Sequence, residues 1–188
     1  MKILVLGSLG TVGTPLVQAL KVNGHEVYES DIRHSDRKNY IRTDIREYRQ
    51  LLRLFNNNFD LVFHLAAEFG RMNGEEYYEN LWQTNVIGTR HILEIQKEKR
   101  FKLVFASSSE IYGNIKVDTM EENMFYDRYI EHHNDYSITK YVNEKQIVRF
   151  GKHFDTEHMI LRFFNAYGPG EFYHPYRSVV CLFCYHLM

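Results

Sequence analysis

Lys2-Ile3-Leu4-Val5-Leu6-Gly7-Ser8-Leu9-Gly10-Thr11-Val12-Gly13 is the stretch that decides the fold. The apolar run Lys2 to Leu6, stopped by Gly7, predicts a short buried strand. Thr14 to Val22 carries Leu16, Val17, Ala19 and Leu20 at helical spacing, and Pro15 suits a first helical turn, where a missing N–H costs nothing. Three glycines therefore stand between a strand and a helix. Gly7 permits a tight turn, Gly10 allows the backbone to approach a pyrophosphate, and Gly13 allows close packing of helix on strand. The helix N-terminus then offers unpaired N–H groups and the positive end of its dipole to phosphate. A glycine triplet alone is weak; in this context it reads as a dinucleotide-binding turn.

The same alternation continues outward. Glu26–Ser30, Leu61–Leu65, Lys102–Ala106 and His158–Phe163 read as strands, and Arg46–Phe55, Tyr77–Lys99 and Tyr136–Phe150 as helices. Continuous apolar strands between amphipathic helices predict an α/β, Rossmann-type doubly wound parallel sheet with helices on both faces. A chain of 188 residues suits one such domain. Lys plus Arg (23) nearly balance Asp plus Glu (24), so no overall field points to nucleic acid or an acidic membrane surface. The apolar N-terminal run is too short for a signal-peptide core or a membrane span, and a cytoplasmic protein is expected. Cys181 and Cys184 form a CxxC without a second ligand cluster. They read as small apolar residues of a buried segment, and no metal site is expected.

Asp31 ends the second strand, 18 residues after Gly13. An acid there accepts hydrogen bonds from the adenosine ribose and repels a 2′-phosphate, favouring NAD over NADP. A turn or cap aspartate is the alternative, and Arg33, Arg37 and Lys38 could ease a phosphate in. Asp44-Ile45-Arg46 could equally be a helix cap with a charged first turn. Tyr136 and Lys140 stand at i and i+4, on one helix face. A phenol ionises near pH 10 and is a poor base at neutral pH. An ammonium one turn away and a cationic nicotinamide would lower that value, letting the tyrosine take a proton from a hydroxyl as hydride leaves. Phe105-Ala106-Ser107-Ser108-Ser109-Glu110-Ile111-Tyr112-Gly113 puts hydroxyls and a carboxylate at a strand C-terminus, where α/β sheets bind ligands.

These motifs, with His64-Leu65-Ala66-Ala67, Asn85-Val86-Ile87-Gly88-Thr89 and Arg162-Phe163-Phe164-Asn165-Ala166-Tyr167-Gly168-Pro169-Gly170, follow one another in the order and spacing of a known family. The chain resembles the extended short-chain dehydrogenases that act on nucleotide sugars, NAD-dependent epimerases and dehydratases, hence isomerases and lyases. The resemblance implies that Ser108 hydrogen-bonds the reacting hydroxyl, Tyr136 is the base and Lys140 holds the nicotinamide ribose. It implies cofactor contacts from Gly7, Leu9, Gly10, Thr11, Val12 and Gly13, and from Asp31, Ile32 and Arg33. Asp44 and Ile45 would flank adenine, Leu65, Ala66 and Ala67 line the cofactor, and Asn85, Ala106, Ser107 and Phe163 complete its site. Glu68, Gly70, Arg71, Ser108, Ser109 and Asn165 would meet the substrate. Ser109-Glu110 is similar to the pair of sugar-nucleotide decarboxylases and GDP-mannose dehydratase, in which the Glu moves a proton at C5. The loop Glu68-Phe69-Gly70-Arg71-Met72-Asn73-Gly74 is more like that of GDP-mannose 3,5-epimerase.

Family members continue into a smaller substrate lobe. Residues 1–170 are therefore expected to be the NAD(P)-binding domain and 171–188 the start of an incomplete substrate region. The implied reaction is epimerisation or dehydration of a nucleotide sugar through transient oxidation at C4. The alternative is a truncated cofactor-binding or interaction module without turnover. The family also implies a homodimer through a four-helix bundle, from the segments 77–99 and 136–150. Leu81, Val86, Ile92, Leu93, Val142, Ile147 and Val148 would supply a second buried face.

Overall fold

The computed structural model describes residues 1–124, 129–168, 171, 173 and 178–188; the side chains of 71–73 stand outside that description. Five strands, β1 (Lys2–Leu6), β2 (Glu26–Ser30), β3 (Leu61–His64), β4 (Lys102–Ser108) and β5 (His158–Phe163), form one sheet in the order β2-β1-β3-β4-β5. Every pairing is parallel. The chain steps from β1 outward to β2, then crosses back to β3 on the other side of β1. That reversal opens a crevice above the C-terminal ends of β1 and β3, the place where open α/β sheets take ligands.

Strand alternation divides the interior. Leu4 and Leu6 of β1 join Leu51, Leu54, Ile92, Leu93, Ile147 and Phe150. These come from α2 (Tyr48–Leu54), α5 (Gly88–Lys99) and α6 (Asp135–Phe154). Val5 points the other way and packs with Val27 and with Leu16, Val17 and Leu20 of α1 (Gly13–Val22). Coverage on this second face thins toward β5. Val104 pairs in register with Met159, which is 58% exposed, and Leu161 beside it is 38% exposed. The expected cover on both faces therefore holds for the centre of the sheet and lapses at the β5 edge.

Several elements differ from the sequence reading. The single helix expected over 77–99 is broken into α4 (Tyr78–Trp82), a π turn (Gln83–Ile87) and α5, preceded by α3 (Arg71–Glu76). The wide turn buries Asn85, whose side chain is engaged away from its own helix, and such turns recur at functional sites. Helix α6 runs longer at both ends. Asn134 caps it by accepting from the Ser137 N–H at 2.8 Å, and Asp155 closes it with φ 53°. Strand β4 extends two residues to Ser108, because Ser107 and Ser108 pair with Arg162 and Phe163. Helix α7 (Val179–Leu187), capped by Ser178, has no buried residue. The two cysteines are thus not core residues: Cys181 is half-buried and Cys184 exposed. Among the described residues no helix is long and apolar enough to cross a membrane. Pro169 and Gly170 of the expected Gly-Pro-Gly turn lie outside the described residues.

Candidate active site

The glycine turn is built by exclusion. Gly7 has φ +82°, and a Cβ there would lie 2.7 Å from the Ala66 nitrogen, so the turn can pass directly over the end of β3 only without a side chain. A Cβ on Gly13 would lie 2.1 Å from the Gly7 carbonyl oxygen, which sets the close approach of α1 to β1. Gly10 has more room, with the same oxygen at 3.3 Å. Helix α1 begins with no side-chain cap; in its first turn the Thr14 N–H donates to the Gly10 carbonyl at 2.9 Å and Pro15 has no N–H.

Asp31, at the end of β2, sits beside this turn. Its Oδ2 accepts from the Leu9 N–H at 3.1 Å and its Oδ1 from the Arg33 N–H at 3.2 Å. The Arg33 guanidinium also reaches Asp31, at 3.3 Å, and donates to the Leu9 carbonyl. Arg37 is turned elsewhere: with Lys21 it neutralises the fully buried Glu29, at 2.9 and 2.6 Å. Of the three cations that could have met a ribose phosphate, Arg33 alone lines the cavity. Asp44 does not cap α2, whose cap position is Glu47; a fork from Arg46 holds its carboxylate instead. Burial works to raise the Asp44 carboxyl, but Arg46 outweighs it and holds the group below its ordinary value.

The reacting constellation lies at the other end of the crevice. Lys140 is buried and donates from Nζ to the Ala106 carbonyl at 2.8 Å. Burial pushes its ammonium down to about 8, against the opposing charge of Glu144. Ser108 Oγ accepts from the Glu110 N–H at 3.2 Å and shares a hydrogen bond with the Tyr136 phenol. Burial raises the Tyr136 phenol above its ordinary value, the Ser108 bond works against that, and Glu110 adds to it. The expectation that Lys140 lowers this phenol is not met by the protein's own groups. The ammonium lies 5.8 Å from the ring centroid and spends its hydrogen bond on Ala106. Beneath it, His64 bonds Thr89 Oγ1 at 2.9 Å; burial, and then the charge of Lys140, push it down to about 3, so it stays neutral.

One cavity of about 950 Å³ joins both ends. It is lined by Gly7, Leu9 to Gly13, Asp31 to Arg33, Asp44, Ile45 and Leu65 to Glu68, and by Gly70, Ala106 to Glu110, Tyr136, Lys140, Phe163 and Asn165. Asn85 does not line it. Its side chain is buried and grips both sides of Glu68, accepting from the N–H at 2.9 Å and donating to the C=O at 3.1 Å. Asn85 therefore shapes the loop after β3 rather than facing the crevice. The Arg71 side chain lies outside the described residues. Ser107 lines the cavity, yet its hydroxyl donates to Glu144. Glu68 accepts from the Asn80 amide at 2.8 Å. The sequence reading passed over Thr84, Phe164 and Glu171 among the lining residues. Thr84 and Phe164 stand inside or beside quoted motifs, so their positions were traceable; Glu171 had no motif to mark it.

Residues 3–184 match the model of the NAD dependent epimerase/dehydratase family. A UDP-N-acetyl-alpha-D-glucosaminuronate decarboxylase of Bacillus cytotoxicus is 30% identical, over 94% of this chain and 58% of its own length. The UDP-glucose 4-epimerase of Thermotoga maritima, solved with UDP-glucose, superposes with a TM-score of 0.88 at 27% identity, over 97% of this chain and 62% of the other. The UDP-glucose 4-epimerase of Thermus thermophilus, solved with NAD, gives 0.79 at 27% identity, over 90% and 57%. The chain thus spans less than two thirds of each of these relatives.

Proposed function

The chain belongs to the NAD dependent epimerase/dehydratase family, and from that premise we propose that it binds NAD and serves the epimerisation or dehydration of a nucleotide sugar, beginning with oxidation at C4. Residues 1–170 form the NAD(P)-binding domain in this reading, and 171–188 begin the substrate-binding region. The Gly7–Gly13 turn, with the positive end of the α1 dipole behind it, would hold the pyrophosphate, Asp31 the adenosine ribose and Lys140 the nicotinamide ribose. The side-chain-free cradle that Gly7 and Gly13 enforce, beside a cavity of about 950 Å³, fits such a ligand. Bound NAD would supply the hydride acceptor and a positive charge beside the phenol.

The chain's own residues do the rest. Ser108 orients the reacting hydroxyl, and Tyr136 takes its proton. Because burial raises that phenol, Tyr136 depends on cationic neighbours before it can act as a base near neutral pH. The one observation that carries the reading is that Ser108, Tyr136 and Lys140 line the same cavity as the glycine turn. Related proteins are named as epimerases and as a decarboxylase, and Glu110 in the same cavity would serve proton transfer in the latter. A second reading is an NAD-binding module without turnover, which needs the cofactor cavity alone. In either reading a C2 homodimer forms through α4, α5 and α6.

The test is Tyr136→Phe. The substitution keeps the ring and removes the proton acceptor, so NADH formation from a nucleotide sugar, followed by stopped-flow absorbance, should be abolished while NAD binding by calorimetry persists. Undiminished NADH formation would end the assignment. NAD binding without turnover by the unaltered chain would select the module.

A further inference from the structure

Behind the cavity lies a second array that the proposed chemistry does not use. Tyr136, Lys140 and Glu144 follow one another at four-residue intervals on α6, so they share one face. Glu144 accepts from Ser107 Oγ at 2.5 Å through Oε1. Arg162, paired with Ser107 across β4 and β5, donates to both Glu144 oxygens, at 3.0 and 2.8 Å. The same guanidinium donates to Tyr112 Oη at 3.2 Å and to the Glu122 carbonyl at 2.7 Å. Both side chains are nearly out of water, at 8% and 13% exposure.

The array grips the strand end from two directions. Ser107 precedes Ser108, and Tyr112 ends the turn (Ser109–Tyr112) that follows it. Lys140 meanwhile holds the carbonyl of Ala106. A buried ion pair adds little net stability over an apolar replacement, whereas its directed bonds impose a single arrangement on what it touches. We propose that Glu144, clamped by Arg162, is a positioning residue of the site: it fixes the end of β4 that presents Ser108 and keeps Lys140 in its ammonium form. The assignment rests on reading Ser108, Tyr136 and Lys140 as the reacting set.

Charge balance makes the idea specific. Lys140 is faced by Tyr136 and Glu144 from α6, His64 from β3, the Phe105 ring from β4 and, beyond the phenol, Glu110 from the turn. His64 is neutral, so Glu144 is the anion that acts on the ammonium, and Arg162 shares it. Burial pushes Lys140 down to about 8 and Glu144 resists. Removing Glu144 leaves the two cations facing one another. Removing Arg162 leaves the whole carboxylate to Lys140. The two halves of one ion pair must therefore move Lys140 in opposite directions, which a purely structural pair would not do.

The experiment reads Lys140 directly, by trace acetylation across pH with peptide mass spectrometry on the chain without cofactor. The unaltered protein should show a midpoint near pH 8. Glu144→Gln should lower that midpoint, and Arg162→Met raise it, each by about one pH unit. The double variant removes the Arg162 charge that Glu144→Gln would strand, so it remains informative where Glu144→Gln fails to fold, and because Lys140 still loses its anion the midpoint should also fall. Midpoints that stay fixed, or that move in the same direction in both single variants, overturn the proposal. NADH affinity measured on the same samples separates the two readings. Opposite midpoint shifts without NADH binding support the Glu144 device and refute the cofactor reading. Normal NADH binding with unmoved midpoints refutes the device alone.

Discussion

Single residues in this site are defined less by their own chemistry than by who already holds them. Asp31 has one oxygen on the glycine turn and the other beside Arg33. Asp31→Ala should weaken NAD binding more than NADP binding, because it removes a ribose acceptor and an anion that repels phosphate. Calorimetry showing tighter NADP binding by the unaltered chain would cancel that role. His64 makes a separate prediction about stability. Its folded value, about 3, lies well below the ordinary 6.5, because burial and then Lys140 oppose its charge. Above pH 6.5 both folded and unfolded forms are neutral. As pH falls from 6.5 toward 3 the unfolded chain takes a proton that the folded chain refuses, so stability is lost, by about 1.4 kcal/mol per pH unit. Urea midpoints of His64→Gln should therefore decline less steeply between pH 6.5 and 4.5 than those of the unaltered protein; parallel curves would contradict this.

At the scale of elements, glycines that look equivalent in the sequence have different jobs. Gly13→Ala drives a Cβ to 2.1 Å from the Gly7 carbonyl, a backbone atom that cannot give way. It should cost about 1–3 kcal/mol by overpacking and abolish NADH binding. Gly10→Ala meets the same oxygen at 3.3 Å, a contact that a shift of a few tenths of an ångström relieves, and should lower the urea midpoint far less than Gly13→Ala while weakening NADH binding. Equal loss of stability in both would show that the turn, not the contact, sets the cost. Element boundaries show the same division between local and distant causes. Strand β1 stops where its apolar run does, at Leu6. The break in the long helix before α5 was not legible, because its cause is the hold of Asn85 on Glu68, 17 residues away. The extension of β4 to Ser108 likewise needs β5 beside it.

For the molecule as a whole, the order of strands places the glycine turn, the residues that follow β3 and the serines that end β4 at one end of the sheet. Dimerisation is the open prediction at this scale. Leu81, Ile92, Leu93 and Ile147, expected in part to form an intersubunit face, are buried within the chain itself. Val86, Val142 and Val148 stay half-buried and Ile87 is 41% exposed, which leaves a narrower apolar stripe for a partner. Light scattering at micromolar concentration should report a dimer that Ile87→Glu weakens; a monomer would assign the whole stripe to the monomer surface. The sequence by itself determined the alternation of strands and helices and the glycine turn, and it marked the residues proposed to do chemistry. Those follow from side-chain periodicity and backbone freedom, which are local. Only the tertiary structure decided that Asn85 holds a loop rather than facing the crevice, that Arg37 serves Glu29, and that Tyr136 is harder to ionise than a free phenol. It also decided that Glu144 and Arg162 stand behind Ser108. Each of these depends on burial and on a partner distant in the chain, and neither can be read from neighbours in sequence.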